Sequence, residues 1–216
     1  MQLLDRIEKR RFVGRELLLW LWFESELFEG TLATKEHGEL GLWIARQAAL
    51  SAGKSEVTRI KGGYPTGSRE AKEALLRGKL PDVFGIHVSW REREFTFVLK
   101  AESLSLSGLA LPTMLGAEEE APAPRVDRPP PRRRKKAESA DANDERYEAF
   151  YERMMLTREI EGVVEALYRD FLALRLGPSW DTTIAPALAT WASGEGEIDV
   201  EAYRRARGGA IGKRRG

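Results

Sequence analysis

The sequence predicts an α+β fold, with an antiparallel sheet of about four to five strands and packed helices, followed by a disordered linker and a long C-terminal helix. Three observations support this fold class. Apolar and polar residues alternate in several short runs, as they do in strands that bury one face. Turn-forming residues separate neighbouring runs, which favours hairpins and therefore antiparallel pairing. Apolar residues recur at three-four spacing between Asp144 and Leu176, which is typical of a helix.

The chain begins with a predicted helix. Residues Gln2 to Arg11 are amphipathic, and the next segment, Phe12 to Phe28, is apolar on every side between Leu17 and Phe23. A helix that is apolar all round is normally buried, so we predict a central core helix. The two tryptophans of this run also suit a partner-binding helix, because tryptophan is enriched in interface hot spots. We interpret Glu29 to Gly38 as a connection.

A hairpin and a short helix are predicted next. Apolar residues alternate from Leu40 to about Ala49, and a second strand runs from Val57 to Lys61 after a turn at Ser51 to Lys54. Ser68 is a residue type that caps helix N-termini, and Gly78 is one that ends helices, so we predict a helix between them.

Two dense strand patterns follow this helix. Alternation from Phe84 to Trp90 and from Phe95 to Ala101 predicts a second hairpin, with its turn at Arg91 to Arg93. Leu104 and Leu106 continue the alternation between serines. The apolar faces of these strands are predicted to form the core with the helices.

Residues 115–143 differ in composition from the rest of the chain. They are rich in proline, alanine and charge and contain little to bury, which predicts a disordered or extended linker. The long helix after it should end at Gly177, and two short helices are predicted from Trp180 to Ala192 and from Asp199 to Arg207. The predicted divisions are an α+β domain at 1–114, the linker at 115–143, a helical region at 144–207 and a basic tail at 208–216.

The charge, cysteine content and apolar runs of the sequence limit which functions and compartments are expected. The net charge is only +1, so nucleic-acid binding must depend on local clusters of basic residues. The sequence has no cysteine, which excludes disulfides and thiolate chemistry and fits a reducing compartment. The first eleven residues are too charged for a signal peptide, and the longest apolar run is far shorter than a membrane span. We therefore expect a soluble, cytoplasmic protein with no membrane partner.

The search for catalytic residues finds little. The two histidines lie in unlike contexts: His37 is expected to face solvent in an acidic loop, and His87 to lie on the polar face of a strand. The metalloprotease, P-loop and serine-hydrolase motifs are absent. Asp82 before a strand gives weak support to a metal-dependent nuclease, an alternative that we keep open. We predict no catalytic residue, no metal and no cofactor.

Basic residues give better support to nucleic-acid binding. They occur on predicted strands, on the short helix and in the linker, and their convergence would provide phosphate contacts. The predicted DNA-binding residues are Arg59, Lys61, Arg69, Lys72, Lys79, Lys100, Arg132, Arg133, Arg134, Lys135 and Lys136. A basic tail, Lys213 to Arg215, adds a further element, although each of these runs also fits a solvated surface.

A different class of function, an interaction or scaffold module, would use the long C-terminal helix, and a homodimer is expected in that case.

Several short blocks of the sequence resemble the C-terminal region of the RdgC family of recombination-associated DNA-binding proteins. The blocks are E-L-L-L-W-L-W at Glu16 to Trp22, V-T-R-I-K-G at Val57 to Gly62, E-A-L-L-R-G-K at Glu73 to Lys79, the strand pair from His87 to Leu99, and the helix from Phe150 to Leu176.

This resemblance implies a non-enzymatic, nucleoid-associated bacterial protein that binds single- and double-stranded DNA with little sequence preference. In the family, dimers close into a ring around DNA and restrain recombinase filaments. The family's N-terminal half has no counterpart in this sequence, which leaves ring closure open. The linker from Leu115 to Asn143 and the residues after Gly177 are additions to the family's pattern.

Overall fold

The computed structural model describes residues 3–53, 56–112 and 140–212, with side chains for 13–53, 56–112 and 147–209. Its helices and strands follow one another as α1 Leu3–Leu27, β1 Thr31–Thr34, β2 Gly38–Ala52, β3 Glu56–Gly62, α2 Arg69–Leu76, β4 Leu80–Trp90, β5 Arg93–Lys100, β6 Leu106–Ala110, α3 Ala140–Arg175, α4 Ala185–Ser193 and α5 Val200–Gly212. A 3₁₀ turn precedes α2, and a π-helical turn precedes α4. None of the helices in these described parts is both long and apolar enough to cross a membrane.

The six strands form one antiparallel sheet in the order β1-β2-β4-β5-β6. The long strand β2 pairs with β4 on one side, while β1 and β3 pair with successive parts of its other side. Hairpins join each pair of consecutive strands except β3 and β4, which are not neighbours in the sheet and are connected through α2. The predicted antiparallel sheet with packed helices is therefore confirmed.

A bulge interrupts β2 where it passes β4. Two extra residues of β2 fit between the pairs Ile44–Ile86 and Ala48–Phe84, and Arg46 takes a positive φ of 67° there. Gly85 lies beneath this bulge, and a Cβ at Gly85 would come within 2.2 Å of the Ala45 carbonyl oxygen. Glycine is required at position 85 because two backbones approach each other without space for a side chain.

Helix α1 lies at the centre of the protein, as predicted from its apolar run. The ring of Trp22 packs edge-on against Phe84 of the sheet, with their centroids 5.9 Å apart. Trp20 contacts Phe171 of α3, and Phe23 contacts Tyr203 of α5. Because the apolar residues on all sides of α1 are buried, this helix joins the sheet to α3, α4 and α5 in a single hydrophobic core.

Several predicted elements need correction or extension. The segment from Glu29 to Gly38, interpreted as a connection, contains β1, and His37 in its turn is half-buried rather than solvent-facing. His37 of that turn packs against Trp90 with ring centroids 5.1 Å apart, and its carbonyl accepts a hydrogen bond from the Trp90 indole. Its ring lies 3.8 Å from where a Cβ at Gly162 of α3 would be, an ordinary contact distance, so the ring is close to α3 at this position.

The first segment forms one continuous helix, α1, Leu3–Leu27. The C-terminal end of the chain differs from expectation. Helix α5 continues through Gly208 and Gly209 to Gly212, so the first part of the predicted tail is helical. Other predictions are confirmed: Ser68 caps α2 by accepting a hydrogen bond from the Ala71 amide at 3.2 Å, and Gly78 follows it with a φ of 76°. The predicted linker falls largely on residues 113–139, which lie outside the described part of the chain.

Candidate nucleic-acid interface

One face of the sheet packs against the helices, and we call the other the open face. Alternation along the strands sets which residues point to each face: in β3, Ile60 is buried while Arg59 and Lys61 are exposed. The residues of the open face are half-buried or exposed, and they include Glu39, Trp43, Gln47, Ala49, Val57, Arg59, Lys61, Val83, His87, Ser89, Glu94, Thr96, Val98 and Lys100.

The exposed cations of the open face are aligned across the strands. Arg59 pairs with Ala49 of β2, Ala49 pairs with Val83 of β4, and Val83 pairs with Lys100 of β5. With strands about 4.8 Å apart, the backbones of Arg59 and Lys100 are separated by roughly 14 Å. Only small or medium apolar side chains lie between them, so the row is a shallow surface with a positive charge at each end.

The neighbouring row extends this surface. Lys61 pairs with Gln47 of β2, which lies beside the bulge over Gly85, and Gly85 pairs with Val98 of β5. Neither this row nor the row of Arg59 contains an acidic strand residue. The two rows from β3 to β5 therefore combine three exposed cations, Arg59, Lys61 and Lys100, with an amide, and contain no carboxylate from the strands.

An exposed tryptophan lies further along the same face. Trp43 of β2 is 40% exposed, and its indole occupies the space that Cβ atoms at Gly30 and Gly41 would take, at 2.3 Å and 2.6 Å. The His87 ring meets this indole nearly at right angles, with centroids 5.7 Å apart. Two glycines and a histidine thus fix the orientation of a large aromatic surface that remains partly open to solvent. A carboxylate oxygen of the exposed Glu94 lies 3.8 Å from Nε2 of His87.

Lys72 is a predicted DNA-binding residue that the structure places between helices. Its ammonium group lies 2.6 Å from Glu26 of α1 and sits over the rings of Trp22 and Trp191, 5.7 and 5.3 Å from their centroids. The same carboxylate accepts hydrogen bonds from both indoles, at 2.7 Å for Trp22 and 2.9 Å for Trp191. These contacts join α1, α2 and α4, and the ion pair with Glu26 neutralises the charge of Lys72.

Lys79 and Arg69 are also engaged away from the open face. The side chain of Lys79 is only 12% exposed, donates a hydrogen bond to the Thr58 hydroxyl at 3.1 Å and lies 3.6 Å from Glu56. It thereby fixes β3 to the start of β4. Arg69 is exposed on α2 and forms a 2.7 Å ion pair with Glu73 one turn later. Of the predicted set, the structure brings together Arg59, Lys61 and Lys100 on one face.

The remaining predicted cations fall outside the described residues. These are Arg132, Arg133, Arg134, Lys135 and Lys136, together with the tail from Lys213 to Arg215. Sequence reasoning missed Trp43 and Gln47, which share the open face with the cations. The sequence did contain a signal for Trp43. It lies between Leu42 and Ile44, which face the core, so it must face outward, and a large aromatic residue at an outward strand position is unusual unless it contacts something.

Asp82, the residue of the nuclease alternative, is part of a polar cluster. Arg15 of α1 donates to its Oδ1 at 2.6 Å and to the Ser51 hydroxyl at 2.6 Å, and Ser51 donates to its Oδ2. This cluster joins α1, β2 and β4 at one end of the sheet. Among the residues that the structure describes, no group of three or more His, Asp or Glu side chains is arranged to hold a metal ion.

A second polar cluster is buried behind the core, where α1 meets α5. Tyr203 donates to Glu24 Oε1 at 2.5 Å and accepts from the Trp20 indole at 3.0 Å. Arg207 lies 3.1 Å from the same carboxylate and donates to the Ala33 carbonyl at the free edge of β1. Burial raises the pKa of Glu24 above its ordinary value, against the opposing effect of the Arg207 charge and of the hydrogen bonds. Burial also raises the pKa of Asp170, a neighbour of Arg207.

No protein-family model, no curated protein and no solved structure matches this chain.

Proposed function

We propose that this protein binds DNA without sequence specificity, through the open face of its sheet, as part of recombination or repair in the bacterial nucleoid. The observation that carries the proposal is the alignment of Arg59, Lys61 and Lys100 on one uncrowded surface. These side chains are long, flexible and exposed, and no acidic strand residue lies in their two rows. Such cations contact phosphates, which are present at every step of any DNA sequence.

The shape of the surface fits a backbone contact better than base readout. Direct readout of base pairs in duplex DNA is done mainly by a helix or a two-stranded ribbon that enters the major groove. The row from Arg59 to Lys100 is instead shallow, and its span of roughly 14 Å is close to the width of that groove, about 12 Å. The two end cations are therefore positioned for phosphates on either side of a groove.

Trp43 adds a contact of a different kind to the same face. Aromatic side chains stack on unpaired bases of any identity, which gives affinity for single strands without sequence preference. The exposed indole, held by Gly30, Gly41 and His87, suits this role. Resemblance of several sequence blocks to the RdgC family agrees with a protein that binds both DNA forms.

No step of this proposal requires a catalytic group or a metal. Phosphate neutralisation is an equilibrium process, so the protein acts by occupying DNA and by excluding or restraining other proteins on it. The competing nuclease hypothesis makes a different prediction, namely magnesium-dependent loss of DNA that Asp82→Ala abolishes. Incubating the protein with labelled DNA and magnesium during the binding experiment tests both hypotheses together.

The decisive experiment measures DNA affinity against salt for a triple variant, Arg59→Gln, Lys61→Gln and Lys100→Gln. Fluorescence anisotropy with a labelled duplex gives the slope of log affinity against log salt. Each lost phosphate contact should make that slope less steep by about 0.9 on duplex DNA. Because the three side chains are exposed, the variant should fold as the natural chain does, which circular dichroism verifies.

A charge-matched control separates the open face from net charge. The control variant carries Arg77→Gln, Arg204→Gln and Arg205→Gln, which remove three exposed cations from the helical side of the protein. We expect the control to keep the affinity and slope of the natural chain. Equal losses in the two variants, or no binding by the natural chain at low salt, would refute the proposed surface.

A further inference from the structure

The two ends of the open face differ in charge. One end, which we call the cationic end, carries Arg59, Lys61 and Lys100 in rows without a strand carboxylate. The other, the acidic end, carries the exposed carboxylates of Glu39 on β2 and Glu94 on β5. A duplex lying along the whole face would bring its phosphates close to these carboxylates, and like charges repel. Duplex DNA is therefore favoured at the cationic end and disfavoured at the acidic end.

Trp43 lies between the cationic and acidic ends. It pairs with His87 of β4, four residues along that strand from Val83, which belongs to the row of Arg59 and Lys100. At about 3.3 Å per residue the two rows are separated by roughly 13 Å. One strand of DNA advances about 3.4 Å per nucleotide, so this distance corresponds to about four nucleotides. A strand whose phosphates contact the cationic end thus reaches Trp43 within a few steps.

The Trp43 indole lies along the sheet. Its five-membered ring covers the position of a Cβ at Gly30, 2.3 Å from Nε1, and its six-membered ring covers that of a Cβ at Gly41, 2.6 Å from Cη2. The His87 ring meets the indole at an interplanar angle of 86°. One face of the indole is therefore turned to the glycines and the opposite face to solvent, in agreement with its 40% exposure.

An indole in this orientation stacks on a base only if the face of that base is accessible. Within a duplex, each base face is covered by the next base pair, and the grooves present only base edges. An unpaired nucleotide has an accessible face, and aromatic side chains stack on it whatever its identity. Trp43 therefore selects unpaired nucleotides at a place on the sheet that the cations connect to duplex DNA.

We propose that the open face recognises the junction between duplex and single-stranded DNA, with the duplex on the cationic end and the first unpaired bases on Trp43. This inference rests on the proposed DNA binding and names the DNA structure that the face prefers. A duplex that ends before Glu39 and Glu94 avoids both carboxylates. The single strand beyond it carries about half as many phosphates per unit length, so the acidic end repels it less.

The first experiment compares four labelled DNAs by fluorescence anisotropy on the natural chain. They are a blunt duplex, the same duplex with a single-stranded tail, the same duplex with a tail of abasic nucleotides, and the single strand alone. The tailed duplex should bind about 5- to 150-fold more tightly than the duplex with the abasic tail, the factor that stacking of one base provides. Both tails carry the same number of phosphates, so only the bases account for the difference.

The outcomes separate this inference from DNA binding itself. Equal affinities for the normal and abasic tails, in both tail polarities, overturn junction recognition and leave DNA binding standing. A single strand that binds as tightly as the tailed duplex also overturns it, because the duplex then contributes nothing. Lack of binding to all four DNAs at low salt overturns both proposals.

A second experiment assigns the gain to Trp43. Trp43→Ala, once circular dichroism shows that it is folded, should lose the gain from the tail and keep its affinity for the blunt duplex. Trp43→Phe keeps an aromatic ring and should retain part of the gain. The matched control is Tyr147→Ala, which removes a ring that is 74% exposed on α3 and should keep the whole gain. A folded Trp43→Ala that retains the whole gain refutes the assignment.

A third experiment tests the acidic end. The double variant Glu39→Gln and Glu94→Gln should bind the blunt duplex more tightly, by up to about fivefold for each carboxylate, and its preference for the tail should shrink accordingly. Glu148→Gln with Glu152→Gln is the control, because it removes two exposed carboxylates from α3. An unchanged affinity of the first variant for the blunt duplex, or an equal gain in the control, overturns the proposed division of the face.

Discussion

Glu26 is the residue whose replacement tests most directly how the helices are held on the sheet. Its carboxylate accepts hydrogen bonds from Trp22 at 2.7 Å, from Lys72 at 2.6 Å and from Trp191 at 2.9 Å. Glu26→Ala would leave the fully buried Trp22 indole without an acceptor, which costs about 1 to 3 kcal/mol. The Lys72 side chain is 43% exposed and can be hydrated, so its ion pair adds at most about 1 kcal/mol. With about 1 kcal/mol for the half-buried Trp191 bond, we expect a loss of about 2 to 5 kcal/mol in the free energy of unfolding.

Urea unfolding followed by tryptophan fluorescence measures this loss. Glu26→Gln should lose less, because its amide oxygen still accepts from one indole, and Lys72→Met should lose about 1 kcal/mol or less. DNA affinity of Lys72→Met should equal that of the natural chain, since the charge of Lys72 is directed at Glu26. A loss below about 1 kcal/mol for Glu26→Ala, or a fall in DNA affinity for Lys72→Met as large as that of the open-face variant, would refute this reasoning.

Three other predictions follow from single residues. Trp43→Ala should weaken binding to single-stranded DNA by about 1 to 3 kcal/mol in a fluorescence titration. It should also lower urea stability, because more than half of the side chain is buried against Gly30, Gly41 and His87, so circular dichroism must first show that the variant is folded under the binding conditions. Gly85→Ala should destabilise the sheet by about 1 to 3 kcal/mol, because the new Cβ meets the Ala45 carbonyl, whereas Gly63→Ala, in open space, should not; urea midpoints compare the two. Burial raises the pKa of Glu24 in the folded state above the ordinary value of 4.5. Above pH 4.5 the unfolded chain therefore loses this proton while the folded chain keeps it. The free energy of unfolding should then fall by about 1.4 kcal/mol per pH unit until Glu24 ionises in the folded state as well. Glu24→Gln should make this part of a stability-against-pH curve flatter, and an unchanged slope would contradict the assignment.

Local patterns predicted most of the elements because those patterns reflect burial on one side. Alternation located β2 to β5, and the all-round apolar run located the central helix α1. Strand β1 was missed because its four residues are too few to show alternation, and its pairing with β2 depends on a turn rather than on apolar content. The extent of α5 was missed because Gly208 and Gly209 have poor helix propensity, and contacts of Arg207 and Tyr203 with the core outweigh it.

The candidate site was predictable only in part. The strand cations Arg59, Lys61 and Lys100 share a face because parity along a strand is visible in the sequence. Lys72 and Lys79 looked equivalent to them, yet their partners, Glu26 and Glu56, are distant in sequence or come from another element. A basic residue on an amphipathic element can belong to the surface or to an ion pair within the fold, and sequence periodicity does not distinguish the two.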